Sequence, residues 1–385
     1  MDAVKFSKML SDKHITDLKK LKYKYSDDFN EFIEILKSSY YEYLPLKDFK
    51  GEKIAYLNSS TGVNLSAVKL LYTPQNSAYG TKAIEDEIVA TSAIESIDFS
   101  RDSVRKILKG YAPKDEEENR ILGLKNGFEF ISKKDNKITE ENIHKLYMMS
   151  MGDFLDDENK LKEGSFYRHD SVYVMSDKIE HSGISSAKLP EYMGDFVSFA
   201  NSDDKINELV KATMLHFYIA YIHPYFDGNG RMARLIHMWY LIQKGYETTL
   251  FIPFSNYIEK SRKNYYDAYT LVEENSKLSG VLDITPFLLY FTENVYDKMV
   301  ENEVKTNTLE EYNSALTQGK ITQKEAQLWQ FVLSAYSGEA FTTKQLEKDF
   351  GDVAFATVRS FVLKFADLGL LNATKMKNKV LYCIK

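Results

Sequence analysis

The sequence predicts a mainly α fold of two or three domains, with short hairpins set into it. Three observations carry this. Proline is scarce, 7 in 385 residues, and helix-forming residues abound. Two strongly apolar helical runs, 209–222 and 231–242, flank a twelve-residue segment dense in polar chemistry. Strand-like alternation is found in two places, around 172–175 and across 372–385.

The elements follow in order. Residues 1–75 mix helical periodicity with turns, and the tyrosine-rich 40–46 stretch (YYEYLPL) is expected to pack against the core. One helix is expected over 81–98, with another after it. The 118–149 region is helical, with a capping signal at Thr139-Glu140-Glu141-Asn142 ahead of an apolar run. A hairpin follows over 165–188, then a helix from 192 to 199, then the motif at 223–234, and a largely apolar helix at 287–300. The pattern thins over 304–318, which reads as a linker. Beyond it come helices at 322–335, from 341 and at 354–370, the last closed by Gly369. Alternation around the turn Lys377-Asn378 then gives two strands. This divides the chain into an N-terminal helical region (1–117), a core (118–303), the linker and a small domain (319–385).

The twelve-residue segment is His223-Pro224-Tyr225-Phe226-Asp227-Gly228-Asn229-Gly230-Arg231-Met232-Ala233-Arg234. Pro224 cannot continue the preceding helix and biases His223 out of the α region. Gly228-Asn229-Gly230 forms a turn that brings backbone N–H groups close to an anion. The second helix points the positive end of its dipole at this loop. Arg231 and Arg234 share one side of its first turn, and arginine's planar fork suits phosphate oxygens. Asp227 could hold Mg²⁺, and His223 could take a proton from a hydroxyl. A P-loop is absent, because no lysine and Ser/Thr follow the second glycine.

This segment resembles the signature of the Fic family, HPFx[D/E]GNGRxxR, with Tyr225 where phenylalanine is usual. The resemblance implies a Fic helical core with a β-hairpin flap, and transfer of AMP from ATP to a Ser, Thr or Tyr hydroxyl of a target protein or of the chain itself. It implies His223 as general base and Asp227 as the Mg²⁺ carrier between the α- and β-phosphates. Gly228, Asn229 and Gly230 would cradle phosphate, Arg231 would hold the β-phosphate and Arg234 the γ-phosphate. Tyr225 would anchor the loop by packing. The intact GNGR favours AMP transfer over the chemistry of the kinase-like Doc branch, whose glycine loop is altered.

Upstream, Ile84, Ile88, Thr91 and Glu95 step by four, three and four, so they share one helix face. That places a carboxylate on a stripe expected to be buried. The pattern leaves two readings open: a frayed helix end in water, or a carboxylate paired with an arginine of the motif. Thr91-Ser92-Ala93-Ile94-Glu95 resembles the Fic inhibitory motif, [S/T]xxxE[G/N], with Ser96 in place of glycine or asparagine. The resemblance implies that Glu95 pairs with Arg234 and displaces the γ-phosphate. In some relatives the same glutamate supports removal of AMP, so a bifunctional enzyme is an alternative.

Residues 165–188 read from the pattern as a surface hairpin. The resemblance makes it the flap, with Val172, Tyr173, Val174 and Met175 lining the nucleotide and the protein substrate docking by strand addition. Tyr265 and Tyr266 resemble the family's adenine-side positions, although paired tyrosines in a helix are commonly core residues.

Composition bounds the rest. The net charge of −6 argues against a nucleic-acid coat or a polybasic membrane binder. The single cysteine, Cys383, excludes an internal disulfide and fits a reducing compartment. The first residues lack the apolar stretch of a signal peptide, and no run reaches membrane-span length, so a cytoplasmic protein with no membrane partner is expected. The last domain, three helices and a two-stranded wing, resembles a winged helix-turn-helix. From Lys320 onward it holds ten cations and six acids, a net of +4, with Arg359 and Ser360 as the best base-reading candidates. A DNA-binding regulator that only senses nucleotide is therefore a second reading, and a homodimer that tunes Glu95 follows by analogy with the family.

Overall fold

A computed structural model describes residues 1–72, 80–175, 180–302, 312, 314–316, 318–336, 340–351, 353–376 and 379–385. The expected linker, 304–318, and the wing turn Lys377-Asn378 fall largely or wholly outside them.

The chain opens with three short helices, Ala3–Leu10, Leu18–Lys24 and Phe29–Ile35. Asp2 and Asp17 cap the first two by accepting from Lys5 N and Lys20 N. Phe6, Leu21, Phe32 and Leu36 close a small apolar cluster between them. A hairpin then pairs Glu42–Lys47 with Lys53–Tyr56, antiparallel, from Glu42 opposite Tyr56 to Lys47 opposite Lys53. The tyrosine-rich stretch does pack on the core, through Leu44 and Leu46, but as a strand that the sequence reading did not foresee. Pro45 in its middle hides it, since proline argues against a strand except at an edge.

The central bundle is built on two helices, Glu208–Ile222 and Asn229–Gln243, which pack along each other. Nearly every residue of both is buried, the arrangement their all-round apolar sequences demand. Helices Leu65–Tyr72, Gly80–Ile94, Arg101–Leu108, Glu116–Ile131, Glu140–Ser150, Leu189–Asn201, Phe254–Lys260, Arg262–Ser279 and Thr285–Phe291 pack around them on one continuous core. The 118–149 region is thus two helices, and Thr139 caps the second by accepting from Asn142 N at 3.2 Å. The helix expected over 81–98 ends at Ile94. Glu95 stands in the turn that follows, and Ser96 takes the left-handed conformation, φ 62°.

The C-terminal unit has its own core, formed by Leu328, Trp329, Val332, Phe361 and Phe365. Its helices are Gln323–Ala335, Thr343–Phe350 and Phe355–Asp367, and strands Leu371–Met376 and Lys379–Ile384 pair antiparallel. Thr322 and Glu325 form a capping box, Thr342 caps the second helix, and Gly369, φ 73°, follows the third. Among the described residues no helix is long and apolar enough to cross a membrane.

Candidate functional site

The loop between the two central helices is held from within. His223 ends the first helix with φ 55° and ψ 65°. The following proline disfavours the α region there, and a side chain in the left-handed region is strained. His223 Nδ1 lies 3.3 Å from the Ala220 carbonyl. That contact assigns the proton to Nδ1 and leaves Nε2 as the basic nitrogen. Tyr225 is fully buried and stacks on Tyr147, with ring centroids 3.6 Å apart and planes 4° from parallel. Asn229 accepts from Tyr225 N at 3.0 Å and donates to Tyr225 O at 2.9 Å. Its amide is engaged in closing the loop, so only its backbone N–H is placed for an anion.

Gly228, φ 82°, turns the chain into the Asn229–Gln243 helix. The first N–H groups of that helix have no acceptor within it, and its dipole adds to their positive field. Arg231 Nη2 donates to Asp227 Oδ2 at 3.2 Å. Arg234 donates Nε–H to Thr91 Oγ1 at 2.6 Å, and Nη2 to the Thr91 carbonyl at 3.0 Å and Glu95 Oε1 at 2.7 Å. Arg231 Nε and Arg234 Nη1 are buried with no hydrogen-bond partner among the described residues. A buried guanidinium N–H without an acceptor is costly, so this pair fits a phosphate group. Asp227 is half exposed and accepts from Gly228 N at 2.6 Å. No three His, Cys, Asp or Glu side chains gather as metal ligands among the described residues. Asp227 therefore offers a Mg²⁺ ion a single carboxylate, which suits an ion that keeps waters and shares phosphate oxygens.

The Gly80–Ile94 helix lies across this pocket. Ile88 and Thr91 are buried, and a side chain on Gly230 would run into Glu95 Oε1. The carboxylate thus lies against the amide end of the helix that starts at Asn229. Burial is the largest single influence and would pull the Arg234 guanidinium down, but the Glu95 charge and hydrogen bond, together with Tyr265 and Tyr266, hold the group above its ordinary value. Arg262 donates to Ser96 Oγ at 3.0 Å and to the Ala93 carbonyl at 3.3 Å, pinning the exit turn. Three further carboxylates on this helix, Glu85, Asp86 and Glu87, are buried, which the stripe of 84, 88, 91 and 95 did not disclose. Glu87 accepts from both the backbone N–H and the hydroxyl of Ser255, and burial pushes its pKa up to about 7.

The hairpin pairs Tyr173–Met175 with Glu180–Ser182, with Val174 opposite His181. Its base rests on the motif: a Cβ on Gly183 would sit 2.8 Å from Val172 Cγ1 and 3.3 Å from His223 Cβ. Val172 is partly buried there, while the side chains of Tyr173, Val174 and Met175 lie outside the described residues. Sequence reasoning missed Arg168. It is 2% exposed, donates Nε–H to the His223 carbonyl at 2.7 Å, and reaches the Asp170 and Ile184 carbonyls with its other nitrogens. Its own N–H bonds the Pro224 carbonyl at 2.9 Å. The only local signal was a cation amid aromatics in Phe166-Tyr167-Arg168, ahead of the strand.

The paired tyrosines separate. Tyr265 is a core residue, 3% exposed, its hydroxyl 2.9 Å from His216 Nε2. Its ring packs against His216 and Phe287, and the same position brings it close enough to Arg234 and Glu95 for their charges to act on its hydroxyl. Tyr266 is 43% exposed, with its hydroxyl 3.4 Å from the Ile94 carbonyl beside the Glu95 turn.

Residues 137–241 match the Fic/DOC family model. A protein adenylyltransferase Fic of Aedes aegypti is 29% identical over 185 residues, 46% of this chain and 32% of that protein. A Drosophila ananassae protein of the same name is 27% identical over 221 residues, 55% of this chain and 40% of that protein. The match thus spans well under half the length of these curated relatives. A crystal structure of a Fic family protein from Desulfovibrio desulfuricans superposes with a TM-score of 0.51 at 16% identity, over 84% of this chain and 97% of that one. That likeness speaks to the fold.

Proposed function

We propose that this chain, which carries a Fic domain, is a protein adenylyltransferase held in check by Glu95. The observation that carries the reading is the buried pair Arg231 Nε and Arg234 Nη1, each without an acceptor among the described residues, at the amide end of a helix next to the His223 loop. That is a phosphate cradle beside a base, in a domain whose named relatives are adenylyltransferases.

In this reading His223 Nε2 takes the proton of a Ser, Thr or Tyr hydroxyl as its oxygen attacks the α-phosphorus of ATP. The bond to the bridging oxygen breaks, and pyrophosphate departs with the electron pair. Arg231 and the amides of Asn229 and Gly230 lie where its charge grows, already oriented and partly out of water. Mg²⁺ on Asp227 would add a Lewis acid there. Arg168, fixing the His223 carbonyl, holds the imidazole in line. Glu95 occupies Arg234 and so competes with the γ-phosphate. The target segment would pair along the hairpin edge by strand addition. The C-terminal unit, as a winged helix, is better suited to protein than DNA, because the exposed face of its third helix holds Phe355, Thr357, Arg359, Ser360 and Leu363 with one cation among them.

The test is incubation with α-labelled ATP and Mg²⁺, followed by mass spectrometry of the chain. Self-labelling should rise in Glu95→Gly and vanish in Glu95→Gly/His223→Ala. No label on Glu95→Gly, in the presence or absence of a cell lysate, refutes the reading.

A further inference from the structure

The outer face of the Glu95 helix is tied to the C-terminal unit. Glu85 is 5% exposed at its side chain and lies one residue from Asp86, also buried. Buried carboxylates are tolerated only when paired. Here the partners come from the Arg101–Leu108 helix: Arg105 Nε reaches Glu85 Oε2 at 2.9 Å, and Arg101 Nη1 reaches Glu85 at 3.0 Å and Asp86 at 2.5 Å. Lys82 adds a contact to Asp86 at 2.7 Å. Arg105 does not stop there. Its Nη2 lies 3.4 Å from Asp349 Oδ1, at the end of the Thr343–Phe350 helix of the C-terminal unit. Asp349 is 7% exposed and its other oxygen accepts from the buried Tyr336 hydroxyl at 2.7 Å. The Gln323–Ala335 helix also packs directly on Gly80–Ile94.

One guanidinium therefore joins a carboxylate on the Glu95 helix to a carboxylate of a unit with a separate core. The helix carries Glu85 near its start and Glu95 just past its end. Ten residues of α-helix span roughly 15 Å, so the two ends are linked by a rigid rod. Thr91 contacts Arg234 between them. A displacement of the rod of about 1 Å takes Glu95 out of hydrogen-bond range of Arg234.

We propose that Arg105 and Asp349 are positioning residues for the Glu95 brake, and that the C-terminal unit sets the strength of that brake by holding the helix in register. This rests on the adenylyltransferase reading above. A partner that pulls the C-terminal unit away would then raise activity without touching the nucleotide pocket. The coupling has a physical carrier in the Glu85–Arg105–Asp349 ion pairs, rather than in proximity alone.

The experiment uses the full chain and the self-labelling assay. Asp349→Arg should raise self-labelling about five-fold or more, and Tyr336→Phe, which keeps the unit's core, should raise it less. Arg105→Lys, which can keep one of the two ion pairs, should fall between wild type and Arg105→Ala. In the Glu95→Gly background Asp349→Arg should add nothing, since there is no brake left to position. Folding of each variant is checked by thermal melting, with Asp349→Asn standing in for Asp349→Arg if the latter melts early. If Glu95→Gly labels and the Asp349 variants label like wild type, the inference fails while the activity stands. An equal rise in both backgrounds also overturns it, because the ion pair would then act on something other than Glu95. No label on Glu95→Gly fails the activity itself.

Discussion

Arg234 Nη2 lies 2.7 Å from Glu95 Oε1, and the guanidinium is 2% exposed while the carboxylate is 30% exposed. The pair is asymmetric: removing the carboxylate strands a buried charge, whereas removing the arginine leaves a carboxylate that water can reach. An anion that replaces Glu95 is therefore favoured by the burial that makes the pair costly. Thr91 shares the arginine through its hydroxyl at 2.6 Å.

Thr91→Val isolates that share. It keeps the shape but leaves Arg234 Nε without an acceptor. Stability should drop by about 1–3 kcal/mol, the cost of a buried donor left unpaired. Self-labelling should rise, because the arginine is then held by one fewer contact in its Glu95-bound place. Denaturant melts and the labelling assay measure the two effects, and a variant as stable and as silent as wild type contradicts the assignment.

Tyr225→Phe should do the opposite to stability. The Tyr225 hydroxyl is buried with no hydrogen-bond partner among the described residues, while its ring supplies the stacking on Tyr147. Removing the oxygen keeps the ring and deletes an unsatisfied group, so the variant should gain about 1 kcal/mol. Labelling by Glu95→Gly should be unaffected, since the anchor is the ring. A loss of stability would mean that the hydroxyl has a partner, such as an ordered water.

The site was legible in the sequence where its signals are local. The 223–234 motif, its flanking helices and the Glu95 stripe all follow from helical periodicity and turn chemistry over a few residues. Ser96 stands in the left-handed turn as an exit residue must, although the helix stops four residues short of the expected end. Arg168, Glu85 and Glu87 were not legible because their partners are far along the chain: the His223 and Ile184 carbonyls, Arg105, and Ser255. Nothing near Glu87 in sequence announces that its carboxylate will meet a helix start 168 residues away. Tyr265 and Tyr266 show a related limit. Periodicity says that neighbours face different ways, but only the fold says which way the core lies.

Arg168→Ala should separate positioning from binding. The side chain ties the His223 carbonyl to the base of the hairpin through Asp170 and Ile184. Its loss frees the loop that aims the imidazole, without removing any group assigned to phosphate. In the Glu95→Gly background, the labelling rate at saturating ATP should fall about 100-fold, the scale of a misplaced reacting group. ATP affinity, read by calorimetry, should change by less than about three-fold, about 0.6 kcal/mol. Equal losses in affinity and rate would place Arg168 in the nucleotide pocket instead.

Glu87 makes a prediction about pH. Burial, opposed by the two Ser255 hydrogen bonds and the Arg234 charge and aided by Asp86, raises its pKa from 4.5 to about 7. In the unfolded chain the group ionises near its ordinary value, while in the folded protein it keeps its proton until near neutrality. Its contribution to stability is therefore fully present below about pH 4.5 and is lost as pH rises toward 7. The loss is at most on the order of 3 kcal/mol, since a tenfold change in proton affinity is worth about 1.4 kcal/mol. Glu87→Gln cannot ionise, so the difference in unfolding free energy between the two proteins cancels the other titrating groups. Wild type should lose stability relative to the variant between pH 4.5 and 7, and the gap should level off above that. Melting curves taken across that range decide it: a constant difference shows that Glu87 ionises alike in both states, with the Ser255 hydrogen bonds and the Arg234 charge balancing its burial.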